Sequence, residues 1–218
     1  MKKQIILRLS VFVVIFLFSS VKAEEKSEVI NLFNGENLDN WIQQKPGGWI
    51  VEKGMITSSN EPGGYIWAKG DYGNFELELD FKVSKACNSG VFFRADPKNP
   101  VQGGFEIQIL DSYGKSKIGK HDCGALYDAS APVSNNAKPA GEWNHMKLIV
   151  NDAYVKVVLN GALVTNVNLD QWIVARENPD GTGNKFRKAL KDLPRTGSIG
   201  LQYHGHPVWF KKIQLKKI

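Results

Sequence analysis

The feature that most constrains this chain is an unbroken alternation. Phe75, Leu77, Leu79, Phe81 and Val83 are apolar, while Glu76, Glu78, Asp80 and Lys82 between them are charged. Successive side chains of a β-strand point to opposite faces, so a strand gathers all five apolar groups on one side. A helix of the same sequence would scatter them around its cylinder. The chain therefore builds a sheet with one face on a core and one toward water. Asp71-Tyr72-Gly73-Asn74 just before the run supplies turn chemistry.

The same period predicts further strands. Residues 49–57 read as a hairpin bent at Lys53-Gly54, and residues 90–95 and 104–110 as two strands rich in aromatic and β-branched side chains. Residues 146–151 and 153–159 read as a hairpin turning near Asn151-Asp152, and Asn160-Gly161, the strongest turn dipeptide in the chain, leads into 162–164. Residues 198–204 and 208–216 flank a Gly205-His206-Pro207 turn. Helical signal is confined to 171–176 and 184–191, with Asn178-Pro179-Asp180-Gly181 as a break between them. About ten or more strands with almost no helix predict an all-β fold, a two-sheet antiparallel β-sandwich.

Residues 1–23 stand apart from this pattern. Lys2, Lys3 and Arg8 precede an apolar run over 9–18, and Val21-Lys22-Ala23 follows it. This reads as a signal peptide cut after Ala23, leaving a single domain over 24–218 in the periplasm or secreted. The run is too short for the roughly 20 residues a membrane helix needs. No Cys follows it to carry a lipid, so no membrane anchor is expected once the leader is gone. The formal charge of +6 over 218 residues is mostly the leader's. The domain itself is near neutral, which gives no reason to expect nucleic acid as a partner. Cys87 and Cys123 would meet an oxidising compartment together, either as a disulfide or as two buried thiols.

Polar residues on the sheet supply the candidate chemistry. Alternation in 104–110 sends Phe105, Ile107 and Ile109 to the core and leaves Glu106 and Gln108 outside, either on a plain solvated face or on a concave binding face. Near the C-terminus Gln202 and His204 share a face, with His206 two positions on, a spacing that suits a metal or merely a strand cap. Arg94 ends a third strand, where its guanidinium would grip a carboxylate or sugar hydroxyl, or join a salt bridge. Tyr113, Tyr127 and Trp143 would stack on sugar rings or fill the core. No phosphate-binding loop, dinucleotide fingerprint, His-Glu-x-x-His or Gly-x-Ser-x-Gly occurs, so no nucleotide cofactor is expected.

Six ordered motifs then carry a resemblance. They are Leu32-Phe33-Asn34-Gly35 with Leu38 and Trp41; Asn88-Ser89-Gly90-Val91-Phe92-Phe93-Arg94; Gly104-Phe105-Glu106-Ile107-Gln108-Ile109-Leu110-Asp111; Gly124-Ala125-Leu126-Tyr127; Lys138-Pro139-Ala140-Gly141-Glu142-Trp143-Asn144; and Gly200-Leu201-Gln202-Tyr203-His204-Gly205. Together they resemble the 3-keto-disaccharide hydrolase domain family over residues 29–218.

The resemblance implies a concanavalin A-like jelly roll whose substrate is an oligosaccharide or 3-keto-glycoside. A ketone at C3 acidifies the C2 proton; a base removes it, an electrophile holds the enediolate, and the C1 substituent leaves. Water adding back would make the net reaction a hydrolysis. For that chemistry His204 is assigned as catalytic base or metal ligand, Glu106 as metal ligand or the catalytic partner orienting His204, and Arg94 as the residue positioning the ketone side. Gln108, Gln202, Tyr127, Asn88 and Asp111 would bind substrate, and a divalent metal would sit on Glu106 and His204. His121 is a second candidate base. Glu106, Gln108 and Asp111 also follow the spacing of the catalytic strand of laminarinase-type glycosidases, but with Gln in the middle the nucleophile and acid pair is incomplete. A non-catalytic glycan-binding module of the same fold is the rival reading.

Overall fold

A computed structural model describes residues 28–59 and 64–218; the expected signal peptide lies outside the described residues. Among the described residues thirteen strands follow in chain order. The first five are β1 (Val29–Asn31), β2 (Trp41–Gln43), β3 (Trp49–Glu52), β4 (Met55–Ser58) and β5 (Tyr65–Ala68). Next come β6 (Phe75–Val83), β7 (Asn88–Ala95), β8 (Phe105–Leu110), β9 (Trp143–Asn151) and β10 (Tyr154–Leu159). The chain ends with β11 (Ala162–Asn168), β12 (Ser198–Gln202) and β13 (Val208–Lys217). One sheet runs β11-β10-β9-β6-β13-β4-β3 with β1 added on β13, and the other runs β2-β5-β12-β7-β8. Every named pairing is antiparallel. This is the expected two-sheet jelly-roll sandwich.

Period-two patterning places the core between the sheets. The apolar set of β6 is at most 1% exposed and packs in one cluster with Val91 and Phe93 of β7 and Ile107 and Ile109 of β8. Moving that much apolar surface out of water is the dominant stabilising term, about 25 cal/mol per Å2 buried. The expected hairpins form, including the tight Asn160-Gly161 turn, in which both residues take positive φ (51° and 86°).

The chain departs from expectation at 170–193. Instead of helices it forms two single 3-10 turns, Leu169–Gln171 and Leu190–Asp192, joined by irregular chain. Side-chain amides hold this stretch in place of a helical ladder. Asn178 accepts from Trp172 Nε1 at 2.8 Å and from Asn184 Nδ2 at 2.9 Å, and Asn184 in turn accepts from the Phe186 N–H. Cys87 and Cys123 are buried free thiols, both pushed up to about 12 chiefly by burial, which leaves them protonated and unreactive at neutral pH.

Candidate active site

The outer face of the five-stranded sheet is built in rows. Cross-strand pairing aligns Trp67, Gly200, Phe92 and Glu106 in one row, and Tyr65 and Gln202 with Gly90 and Gln108 in the next. The two glycines make room. A Cβ on Gly90 would stand 2.3 Å from Glu106 Oε1, and one on Gly200 would stand 2.4 Å from the Trp67 ring. Without side chains at these positions, Glu106 and Trp67 lie flat across neighbouring strands. Tyr65 stacks on Trp67 with centroids 5.4 Å apart and meets Phe92 edge-on at 5.2 Å, an aromatic floor of favourable geometry.

Two connections roof this face. The β8–β9 connection runs back along β8, with Gly124 N–H on Gln108 O at 2.8 Å and Tyr127 N–H on Glu106 O at 2.9 Å. The β11–β12 connection brings in Lys185. Glu106 and Gln108, outward by alternation, are in consequence 6% and 1% exposed. Tyr65, Asn88, Val101, Glu106, Gln108, Tyr127, Lys185, Gln202 and His204 together line a cavity of about 260 Å3.

Electrostatics distinguish this cavity. Burial pushes the Glu106 carboxyl up to about 7, opposed by the Lys185 ammonium, which stands 3.6 Å from Oε2. Burial likewise draws Lys185 below its usual value, with Glu106 and Asp128 opposing. The ammonium also lies 4.1 Å from the Tyr127 ring centroid, a cation–π contact. Burial, with the Glu106 charge adding to it, raises both Tyr65 and Tyr127, so both keep O–H donors at neutral pH. The Gln108 amide donates to Asn88 Oδ1 at 2.7 Å, while its Oε1 is buried without a partner. An acceptor buried in this way costs about 1–3 kcal/mol until something donates to it; a sugar hydroxyl would. A carboxylate ionising near neutrality beside a fixed cation and phenol donors is suited to taking a proton next to a carbonyl.

The structure brings together six of the residues expected from the sequence: Glu106, Gln108, Gln202, Tyr127, Asn88 and His204. His204 lies beyond the end of β12, exposed, and no hydrogen bond or ion pair joins it to Glu106. It lines the same cavity from an exposed position.

Two expectations are corrected. Arg94 is fully buried and outside the cavity. The register of β12 on β7 shifts between Ser198 and Gly200, and Arg94 takes φ 47°, a bulge that re-aims the side chain. Its guanidinium donates to Gly73 O, Asp152 O and Asn74 Oδ1 at 2.7–3.0 Å, which ties the five-stranded sheet to the turns of the other. Asp111 also lies outside; its carboxylate accepts the Ala86 N–H at 2.9 Å and holds the β6–β7 turn. His121 is exposed and bonded to Asp128 at 2.9 Å. Tyr113 is an exposed loop residue, and Trp143 sits on the other sheet under Lys211 and Lys82.

Sequence reasoning missed Lys185, Tyr65 and Val101. Tyr65 and Trp67 do alternate around Ile66, a signal that could have placed an aromatic pair on one face. Lys185 is one cation among several in 185–191, and nothing in its spacing marks it. A larger cavity of about 480 Å3 borders β11 around Trp172. Lys120 and Asp180 both line it, but Lys120 is bonded to Asp128 and to the Gly183 carbonyl, and Asp180 is an exposed carboxylate that accepts from Thr182.

The donor set does not fit a divalent-metal centre. Among the described residues no three His, Cys, Asp or Glu side chains gather, and an ammonium already faces the Glu106 carboxylate. No step below runs through a metal.

Comparison with known proteins places the chain among relatives. The profile of the family described as the 3-keto-alpha-glucoside-1,2-lyase-like domain matches residues 28–216. A Bacteroides thetaiotaomicron protein named 3-keto-disaccharide hydrolase is 32% identical over 225 residues, covering 86% of this chain and 77% of that one. A crystal structure of a provisionally named glycosyl hydrolase from Parabacteroides distasonis superposes with a TM-score of 0.81 at 35% identity, covering 88% of this chain and 100% of that one. A second such protein from the same organism gives 0.72 at 26% identity, covering 87% and 94%.

Proposed function

This chain belongs to the 3-keto-alpha-glucoside-1,2-lyase-like domain family, and from that premise we propose that it is a carbohydrate-active enzyme that cleaves 3-keto-glycosides by elimination. Glu106 takes the C2 proton, the electron pair moves to the C3 oxygen as an enolate and returns to form the C1–C2 double bond as the C1–O bond breaks, and the aglycone leaves as its alcohol when the proton passes from Glu106 to its oxygen. Lys185 and the phenols of Tyr65 and Tyr127 hold the negative charge that develops on the C3 oxygen. Gln108 and Gln202 take hydroxyls of the ring. His204, exposed at the cavity, faces the departing aglycone. Water adding later across the double bond would give net hydrolysis. The observation that carries this reading is the buried Glu106 carboxyl, ionising at about 7, with an ammonium 3.6 Å away. Such a base is matched to neutral pH, and Brønsted behaviour favours that match. In this reading Glu106 rather than His204 is the base, and Lys185 is the cation.

The test uses chain exported to the periplasm or medium, where the leader-like 1–23 segment would leave Glu24 as first residue. A 3-keto-glucoside and its parent glucoside, both with a chromogenic aglycone, are compared with and without chelator. Release from the keto compound alone, unchanged by chelator, is the expected result. No release from either, with binding of an unmodified glycan, would replace the proposal with a glycan-binding module.

A further inference from the structure

Lys185 carries its charge on a flexible four-carbon stem, and an ammonium of that kind acts at a fixed point only if its backbone is fixed. The chain around it has no regular secondary structure to supply that. Hydrogen bonds supply it instead, three of them to the Lys185 and Arg187 backbone. The Lys185 N–H donates to Asp128 Oδ2 at 2.6 Å. Its carbonyl accepts from Gln102 Nε2 at 2.9 Å, and the Arg187 N–H donates to Gln102 Oε1 at 2.9 Å. One side-chain amide thus spends both its donor and its acceptor on a single short stretch of backbone, as a neighbouring strand would.

Gln102 is itself anchored. It sits in the β7–β8 connection, where Asp96 N–H bonds Gly103 O at 3.0 Å and Gly103 N–H bonds Asn99 O at 2.7 Å. Its neighbour Val101 lines the cavity. The connection that walls the site therefore also grips the one that carries its cation. Asp128, the third point, has its other oxygen engaged by Lys120 and His121, and Phe186 is held on the far side by the Arg176 N–H and Asn184; Gln102 is the side chain that bonds the backbone on both sides of Phe186, at Lys185 and Arg187.

We propose that Gln102 is a positioning residue, whose amide clamps residues 185–187 and so sets the Lys185 ammonium against Glu106. The proposal rests on the reading of Lys185 as the cation of the elimination. Misplacing a catalytic group by about 1 Å costs up to about 100-fold, and losing the clamp while Asp128 still holds should cost less, about tenfold in kcat with little change in KM.

The experiment compares Gln102→Met, Lys185→Met and the double variant on the 3-keto-glucoside, with Gln102→Ala as a second variant should the first not fold. Gln102→Met should lower kcat about tenfold in the wild-type background and less than about twofold when Lys185 is already Met. Equal losses in both backgrounds, or no loss, would overturn the clamp. Full turnover by Lys185→Met would instead sink the role given to Lys185. The clamp is then read directly, with lysines reductively methylated with 13C-formaldehyde and the Lys185 signal assigned by its absence in Lys185→Met. A signal that moves toward those of the solvent-exposed lysines in Gln102→Met supports the clamp, and an unmoved signal refutes it.

Discussion

Strands β6 and β8 send carboxylates to the outer faces of their sheets by the same alternation, and those carboxylates end in opposite electrostatic states. On the eight-stranded sheet, Glu76 and Glu78 pair with Lys147 at 2.7 and 3.2 Å, and Asp80 accepts from His145 at 2.9 Å and Lys212 at 3.1 Å. Burial alone would raise Asp80, but the His145 and Lys212 bonds outweigh it and hold it below the ordinary range. A register shift in β13 between Lys211 and Gln214 presents Lys212 to that carboxylate. On the five-stranded sheet, two connections roof Glu106, and there burial outweighs its single cation. A face left in water makes a salt-bridge lattice, whereas the same face under a roof holds a carboxyl raised by burial.

The largest expected effect breaks the comparison at its catalytic end. Glu106→Gln should lower turnover of the 3-keto-glucoside about 1,000-fold, within the range of general-base loss. Glu78→Gln on the opposite sheet should leave it within about twofold. Wild-type kcat/KM should climb as pH rises through about 7, because the base works only when ionised. Similar losses in the two variants would erase the distinction drawn between the faces.

Stability should move in the opposite sense. The folded-state value of Glu106, about 7 against an ordinary 4.5, means that the folded chain keeps a proton the unfolded chain has released. Stability from this group is present below about 4.5 and is lost as pH rises through 7. Burying the ionised carboxylate then costs up to about 3 kcal/mol. Glu106→Gln should therefore melt higher than wild type above pH 7, with the difference shrinking toward pH 4.5. A lower melting temperature at pH 8 would show that the carboxylate is paired rather than desolvated.

The smallest effect sharpens the contrast. Asp80 has a lowered folded value, so its contribution is present above its unfolded value and is lost as pH falls through the lower folded one. Asp80→Asn should destabilise at pH 7 by less than about 1 kcal/mol, since the pairs sit at a solvated face. Denaturant titration at pH 7 and pH 3 should find a smaller gap at pH 3 than at pH 7, and stabilisation by Asp80→Asn at neutral pH would reverse the sign assigned here.

Most of the sheet was legible because its rule is local. Phe75–Val83 forms over the range its alternation marks, and the hairpins fall where Lys53-Gly54, Asn151-Asp152 and Asn160-Gly161 put them. The reading failed where side chains rather than periodicity hold the backbone, at 170–193, and where one bulge residue breaks the period, at Arg94. The site was half legible for the same reason. Glu106 with Gln108, and Gln202, stand where period two puts them. Lys185 arrives from a connection that no pattern ties to β8.

By itself, the sequence determined that this chain is a two-sheet sandwich and that a carboxylate and amides face outward from it, because strand geometry converts residue order directly into face. Only the tertiary structure decided which outward carboxylate loses its water and which cation meets it. Those outcomes depend on where residues 79 or more positions apart in the chain, such as Glu106 and Lys185 or Gln102 and Lys185, come to rest. Desolvation and charge pairing follow distance in space, which the order of residues along a strand does not carry.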